Sequence, residues 1–135
     1  MKTVQKILIG RSINVGSIQV QELLPHNGEF FNPFLVFHHG IAIADMDIPI
    51  SQQGVGPHPH RGFSAVSFIY RGGVHHQDSR GNNHKVYAGG TQWTSAGMGI
   101  IHSERVPDDI FENGGEQELL RSEPEYRQTS RPLSA

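Results

Sequence analysis

Short runs in which apolar and polar residues alternate, each closed by glycine, proline or asparagine, fill the first hundred positions of the chain. Residues 4–10 and 17–24 read as an early pair of strands about Gly16, ended by Pro25, His26, Asn27 and Gly28. Residues 32–40 are more apolar, with Phe34 and Phe37 close behind Phe30 and Phe31, and predict a strand against the core. That strand ends in His38 and His39; neighbours on a strand face opposite ways, so at most one looks inward. Residues 42–57 lack a period and predict a loop. Residues 63–70 and 74–77 predict two strands about Gly72 and Gly73, and 78–83 a polar turn that leaves His75, His76 and His84 at the surface. Residues 85–88, 91–95 and 99–103 continue the pattern. No window between 1 and 110 carries a helical period with capping signals. Strands of this length and spacing predict an all-β fold, a sandwich or barrel.

Past Val106 and Pro107 the composition turns polar, with Leu119 and Leu120 the last apolar pair. The expected organisation is therefore one domain over residues 1–110. A polar tail follows over 111–135, with little order of its own or packed on a partner subunit.

Composition narrows the chemistry. The 135 residues include no cysteine, so any metal must be held by nitrogen and oxygen, and a cytoplasmic location is expected. Eleven Lys and Arg, scattered against thirteen Asp and Glu, leave a net charge of −2 and no footprint for direct nucleic-acid binding. The first ten residues do not form a signal peptide, and no apolar run is long enough to span a bilayer, so no membrane partner is expected.

Nine histidines are the chemical reserve, and four side chains stand out by spacing. His58 and His60 lie one residue apart, as do His102 and Glu104. Side chains at i and i+2 of a strand share a face, so each dyad can offer both groups to one point. Buried in a small barrel, three imidazoles and a carboxylate need a cation to satisfy them. Such a set suits iron, copper, nickel, zinc or manganese, and in six-coordinate geometry it leaves two positions open. Gln92 and Ser103 are candidates to orient an imidazole. Phe63, Phe68, Tyr70 and Trp93 are candidate pocket walls whose ordinary role would be packing.

The stretches PHPHRGF, HQDSRGN and AGGTQWTSAGMGIIHSE, with FNPFLVFHHG upstream, resemble the N-terminal cupin domain of the pirin family over about residues 3 to 107. The resemblance implies a single cupin-type β-barrel, the jelly roll or double-stranded β-helix. It also implies that His58, His60, His102 and Glu104 match the family's ligands for iron. The activity implied is quercetin 2,3-dioxygenase chemistry on a flavonol-like small molecule; with Ser64 where the family usually has a glutamate, Glu104 is the remaining candidate for the proton acceptor. The alternative is a non-enzymatic metal-binding module whose metal state controls a protein partner. Ser64 stands where the family usually has a glutamate, which favours that alternative. Pirins also continue into a second cupin domain. A barrel without it would expose apolar surface, so a homodimer is expected.

Overall fold

A computed structural model describes residues 2–4, 6–24, 29 and 31–125, and among these the chain forms ten strands and one short helix. The strands are β1 (Arg11–Val15), β2 (Ile18–Glu22), β3 (Phe34–Ile43), β4 (Val55–His60), β5 (Ser64–Arg71), β6 (Gly73–Asp78), β7 (Asn83–Tyr87), β8 (Thr91–Ser95), β9 (Ile100–Arg105) and β10 (Glu116–Pro124), with helix α1 (Asp108–Glu112) before the last. They build two antiparallel sheets, one in the order β1-β2-β3-β10-β5-β8 and the other β4-β9-β6-β7. This is the expected all-β cupin jelly roll.

The two inner faces supply the core. Val20, Ala65, Ile69, Val74, Ile100 and Val106 are buried, and each large aliphatic side chain among them contributes about 1.5–3 kcal/mol. Gly40 lies opposite Val20 in the β2–β3 ladder, where a Cβ would come within 3.1 Å of the valine methyl. Its lack of a side chain lets the two strands bring a large and a missing side chain together.

Three expectations are corrected. The first strand lies at Arg11–Val15 rather than over residues 4–10, because Val4, Ile7 and Ile9 find no sheet to cover them and are exposed. The loop expected up to residue 57 is shorter: a 3-10 turn at Ile50–Gln52 leads straight into β4, so the first histidine dyad sits on a strand. The largest correction concerns residues 111–135. Far from being a tail, Glu116–Pro124 is a central strand, paired on one side with β3 and on the other with β5. Its charged residues misled because they pair: Glu116 and Glu118 with Arg71, and Arg121 with Glu104 and Glu123. The domain therefore extends through β10; residues 126–135 of the expected tail lie outside the described residues.

Candidate metal centre

The ladders dictate the site. In β4–β9, His58 stands opposite His102, and in β9–β6 Glu104 stands opposite His76. Period-two alternation then places His58, His60, His102, Glu104 and His76 on one inner face. The facing sheet contributes a transverse row, His38–Arg121–Ser67–Gln92, in register across β3, β10, β5 and β8.

Two glycines let Glu104 come so close to its neighbours. Gly54, at φ +86°, lies against the backbone of β9, where a Cβ would collide with the Glu104 carbonyl oxygen and sit 2.8 Å from the Arg105 Cα. Gly16, at φ +60°, packs in turn against Gly54. Hydrogen bonds from Ser17 N to Gly54 O (3.1 Å) and from Gly54 N to Ser17 Oγ (2.8 Å) fasten the stack.

Three imidazoles converge. His60 Nε2 lies 2.9 Å from His58 Nε2, and His102 Nε2 lies 3.0 Å from the same atom. Their partners fix where the hydrogens are. His58 Nδ1–H donates to Gly56 O at 2.8 Å, leaving Nε2 bare. Arg121 Nη2–H donates to His60 Nε2 at 3.1 Å, so that nitrogen is bare as well. On the far side His76 Nε2–H donates to Asp78 Oδ2 at 3.1 Å, and His76 Nδ1 accepts from Gln92 Nε2–H at 3.3 Å. His76 Nδ1 therefore also accepts from His102 Nδ1–H at 3.3 Å, which bares His102 Nε2.

Three ring nitrogens without hydrogens thus lie together, an arrangement that calls for positive charge beside them, and in this structure the Arg121 guanidinium supplies it to His60. Two nitrogens held at right angles about an ion at about 2.1 Å stand about 3.0 Å apart, so the observed separations fit a first-row metal.

Glu104 is placed differently from the imidazoles. Its Oε2 is 4.0 Å from His102 Nε2 and accepts from Arg121 Nη1, while its Oε1 accepts from Gln92 Nε2–H at 2.7 Å. Arg121, itself buried, also donates from Nε to Glu123 Oε1 at 2.9 Å. His76, His102 and Glu104 form a second possible donor group on the other side of the His102 ring.

Burial and charge set the protonation states. Burial pushes the His102 imidazole down to about 3; Glu104 opposes that shift, and Arg121, His58 and His60 add to it. Burial likewise lowers His60, with Glu123 opposing and Arg121 reinforcing. Burial alone would raise Glu104, but Arg121 first and the surrounding imidazoles after it hold the carboxyl below its ordinary value, so it is ionised.

The centre opens into a cavity of about 370 Å³ walled by Ile18, Val20, Val36, Val55, Val74 and Leu119, with His38, Ser67 and Gln117 among its polar lining. His38 looks inward, 3.8 Å from Glu22, whereas His39 faces out and donates Nε2–H to Glu118 Oε1 at 3.0 Å. Of the aromatic candidates, Phe63 packs edge-on against the His60 ring at 5.1 Å. Phe68, Tyr70 and Trp93 are exposed instead, and Trp93 Nε1–H donates to Ser64 Oγ at 3.0 Å. Gln92 does orient an imidazole; Ser103, adjacent to both ligand positions on β9, falls on the opposite face. His76, expected at the surface, is buried, because β6 lies beside β9 rather than at an edge. Asp78, held below its ordinary value by hydrogen bonds from Asn82, His76 and the Arg80 and Asn82 amides against the effect of burial, anchors it. His76 and Asp78 are themselves an i, i+2 pair, the same signal that marked the two dyads.

The Pirin family model matches residues 17–121, which include every strand from β2 to β9 and most of β10. The chain belongs to the pirin family. Cupin structures are also among its likenesses in fold. Over 106 residues, 76% of its length, it is 37% identical to a Pseudomonas aeruginosa pirin relative named, provisionally, a quercetin 2,3-dioxygenase. The crystal structure of quercetin 2,3-dioxygenase from Acinetobacter baumannii superposes with TM-score 0.76 at 31% identity, over 88% of this chain and 42% of that one. Bacterial pirin YhhW from Escherichia coli in complex with nickel(II) superposes with TM-score 0.70 at 27% identity, over 88% of this chain and 49% of that one. The chain spans 36% of the Pseudomonas relative's length and less than half of each of these solved pirin-type chains.

Proposed function

We propose that this pirin domain is a metal-dependent oxidoreductase of the quercetin 2,3-dioxygenase type, acting on a flavonol-like small molecule with iron as its metal. The convergence of three bare imidazole Nε2 atoms at the floor of an apolar cavity carries the reading. His58, His60 and His102 would hold the ion, with Glu104 as the fourth ligand once its Oε2 is released. When bound, the ion supplies Lewis acidity toward substrate oxygens and redox chemistry with dioxygen.

The chain's own residues account for the rest. The valine, isoleucine and leucine walls take a largely apolar ring system and exclude water from the centre. Ionised Glu104, whose Oε2 lies 4.0 Å from His102 Nε2, is the proton acceptor for a substrate hydroxyl. Gln92 holds the other carboxylate oxygen and keeps the group oriented.

A second reading, a metal-binding module that reports its metal state to a protein partner, draws on one observation. Both Glu104 oxygens are already engaged by protein donors, which suits a site whose ligand set changes with occupancy. The same proposal includes a homodimer formed through the outer face of the six-stranded sheet, where Ile41, Ile43, Phe68 and Tyr70 are exposed. A cytoplasmic location accords with the absence of cysteine.

Metal analysis of purified protein, followed by aerobic and anaerobic quercetin assays on wild type and His58→Ala, separates the readings. Bound iron with dioxygen-dependent loss of quercetin in wild type alone supports the oxidoreductase. Bound iron without turnover leaves the module, and failure to bind any first-row metal removes both.

A further inference from the structure

Arg121 is a buried guanidinium inside a cluster otherwise built to hold a cation. Its Nη1 is bonded to Glu104 Oε2, which is the carboxylate oxygen nearer His102 Nε2, and its Nη2 donates to the His60 lone pair. Gln92 holds Glu104 Oε1, and Oε2 is the oxygen turned toward His102 Nε2 and so toward an ion among the imidazoles. Arg121 is permanently charged and cannot surrender a proton to make room. Its second carboxylate, Glu123, bonded at Nε, gives the guanidinium a place to remain when Glu104 is withdrawn.

We infer that Arg121 is an internal competitor for the metal, so that the guanidinium and the ion are mutually exclusive partners of Glu104 Oε2 and metal binding is weakened by the need to displace it. This deepens the metal-centre reading above and rests on it. The device follows from charge: with neutral imidazoles, Glu104 and Glu123 together offer −2 to a divalent ion, and Arg121 cancels half of that before any ion arrives. The site would then load only where metal is abundant and release it readily.

Removing Arg121 alone would strand two buried carboxylates, so the test uses Arg121→Gln together with Glu123→Gln, which leaves the cluster at the wild-type net charge of −1. Zn²⁺ is titrated into the metal-free wild type and the double variant in competition with a chromophoric chelator, with circular dichroism confirming the fold. At equal net charge the variant has no guanidinium to displace from Glu104 Oε2, so it is expected to bind Zn²⁺ roughly tenfold or more tightly. Equal or weaker binding by a folded variant overturns the inference while leaving the metal centre intact, whereas no Zn²⁺ binding by wild type overturns the metal centre itself. A crystal structure of wild type with Zn²⁺ gives an answer even if the variant does not fold. Glu104 Oε2 bound to either the ion or Arg121 supports exclusivity, and the same oxygen bonded to both at once overturns it.

Discussion

His58 and His102 occupy directly opposed positions in the β4–β9 ladder, and their Nε2 atoms lie 3.0 Å apart with no hydrogen between them. Each is made bare by a different partner, the Gly56 carbonyl for one and His76 for the other. Replacing His58 by alanine removes the nitrogen that both other imidazoles face. Zn²⁺ affinity should fall at least about a hundredfold while the fold persists, since His58 is only half-buried. Calorimetric titration checks this, and undiminished affinity would place the ion elsewhere.

Acid should loosen the metal-free protein earlier than carboxylate chemistry alone would. An unfolded imidazole takes up its proton near 6.5, but the folded His102 resists until about 3, and His60 and His38 are also lowered, chiefly by burial. Between those values the unfolded chain binds more protons, so stability falls as pH drops, by at most about 1.4 kcal/mol per group per unit. Glu104 and Asp78, both held low, add the same trend only at more acid pH. The urea midpoint should decline steadily between pH 7 and 5; a flat midpoint over that range contradicts the burial argument.

Gly54 and Gly81 share nearly the same positive φ, +86° and +87°, yet differ in what surrounds them. A methyl group at Gly81 meets nothing within 4 Å, so Gly81→Ala should cost only the conformational penalty of about 1 kcal/mol. At Gly54 the same methyl meets the β9 backbone, and Gly54→Ala should cost more than about 2 kcal/mol and reduce metal affinity by shifting Glu104. Denaturant unfolding of the pair separates space from dihedral strain.

Gln92→Met tests how the centre is supported. The substitution keeps length, removes the donor to Glu104 Oε1 and His76 Nδ1, and also removes Gln92 Oε1, a buried atom with no partner among the described residues. Stability should change by less than about 1.5 kcal/mol because the lost bonds and the lost orphan offset each other. Metal affinity should fall about ten- to a hundredfold. Thermal melts and Zn²⁺ titration on one preparation distinguish this from a loss of fold.

For the proposed dimer, Phe68 is the probe. It lies opposite Leu120 on one side and Thr91 on the other, on the outer face of the six-stranded sheet. Light scattering at tens of micromolar, roughly where weak dimers assemble, should report twice the monomer mass for wild type and the monomer for Phe68→Glu. A monomeric wild type would sink the dimer.

The sequence carried the site better than its surroundings, and the reason lies in range. His58 with His60 and His102 with Glu104 are local pairs whose common face follows from strand geometry alone, and the structure does bring the three imidazoles within 3.0 Å of a shared nitrogen. His76 and Asp78 form the same local pair, but their inward orientation depends on β6 lying beside β9, a neighbour relation that spacing within one segment does not state. Arg121 was harder still. A charged residue after two leucines reads as the start of a polar end, and only the pairing of β10 with β3 and β5 turns it to face His60 and Glu104.

The place of β10 between β3 and β5 also bears on how the chain is made. During synthesis the described strands β1 to β9 leave the ribosome before it, and without β10 the strands β3 and β5 each keep a bare edge. Such edges invite pairing with other nascent chains. Among the described strands β10 emerges after all the others and closes the sheet between β3 and β5, and it delivers Arg121 to the centre in the same movement.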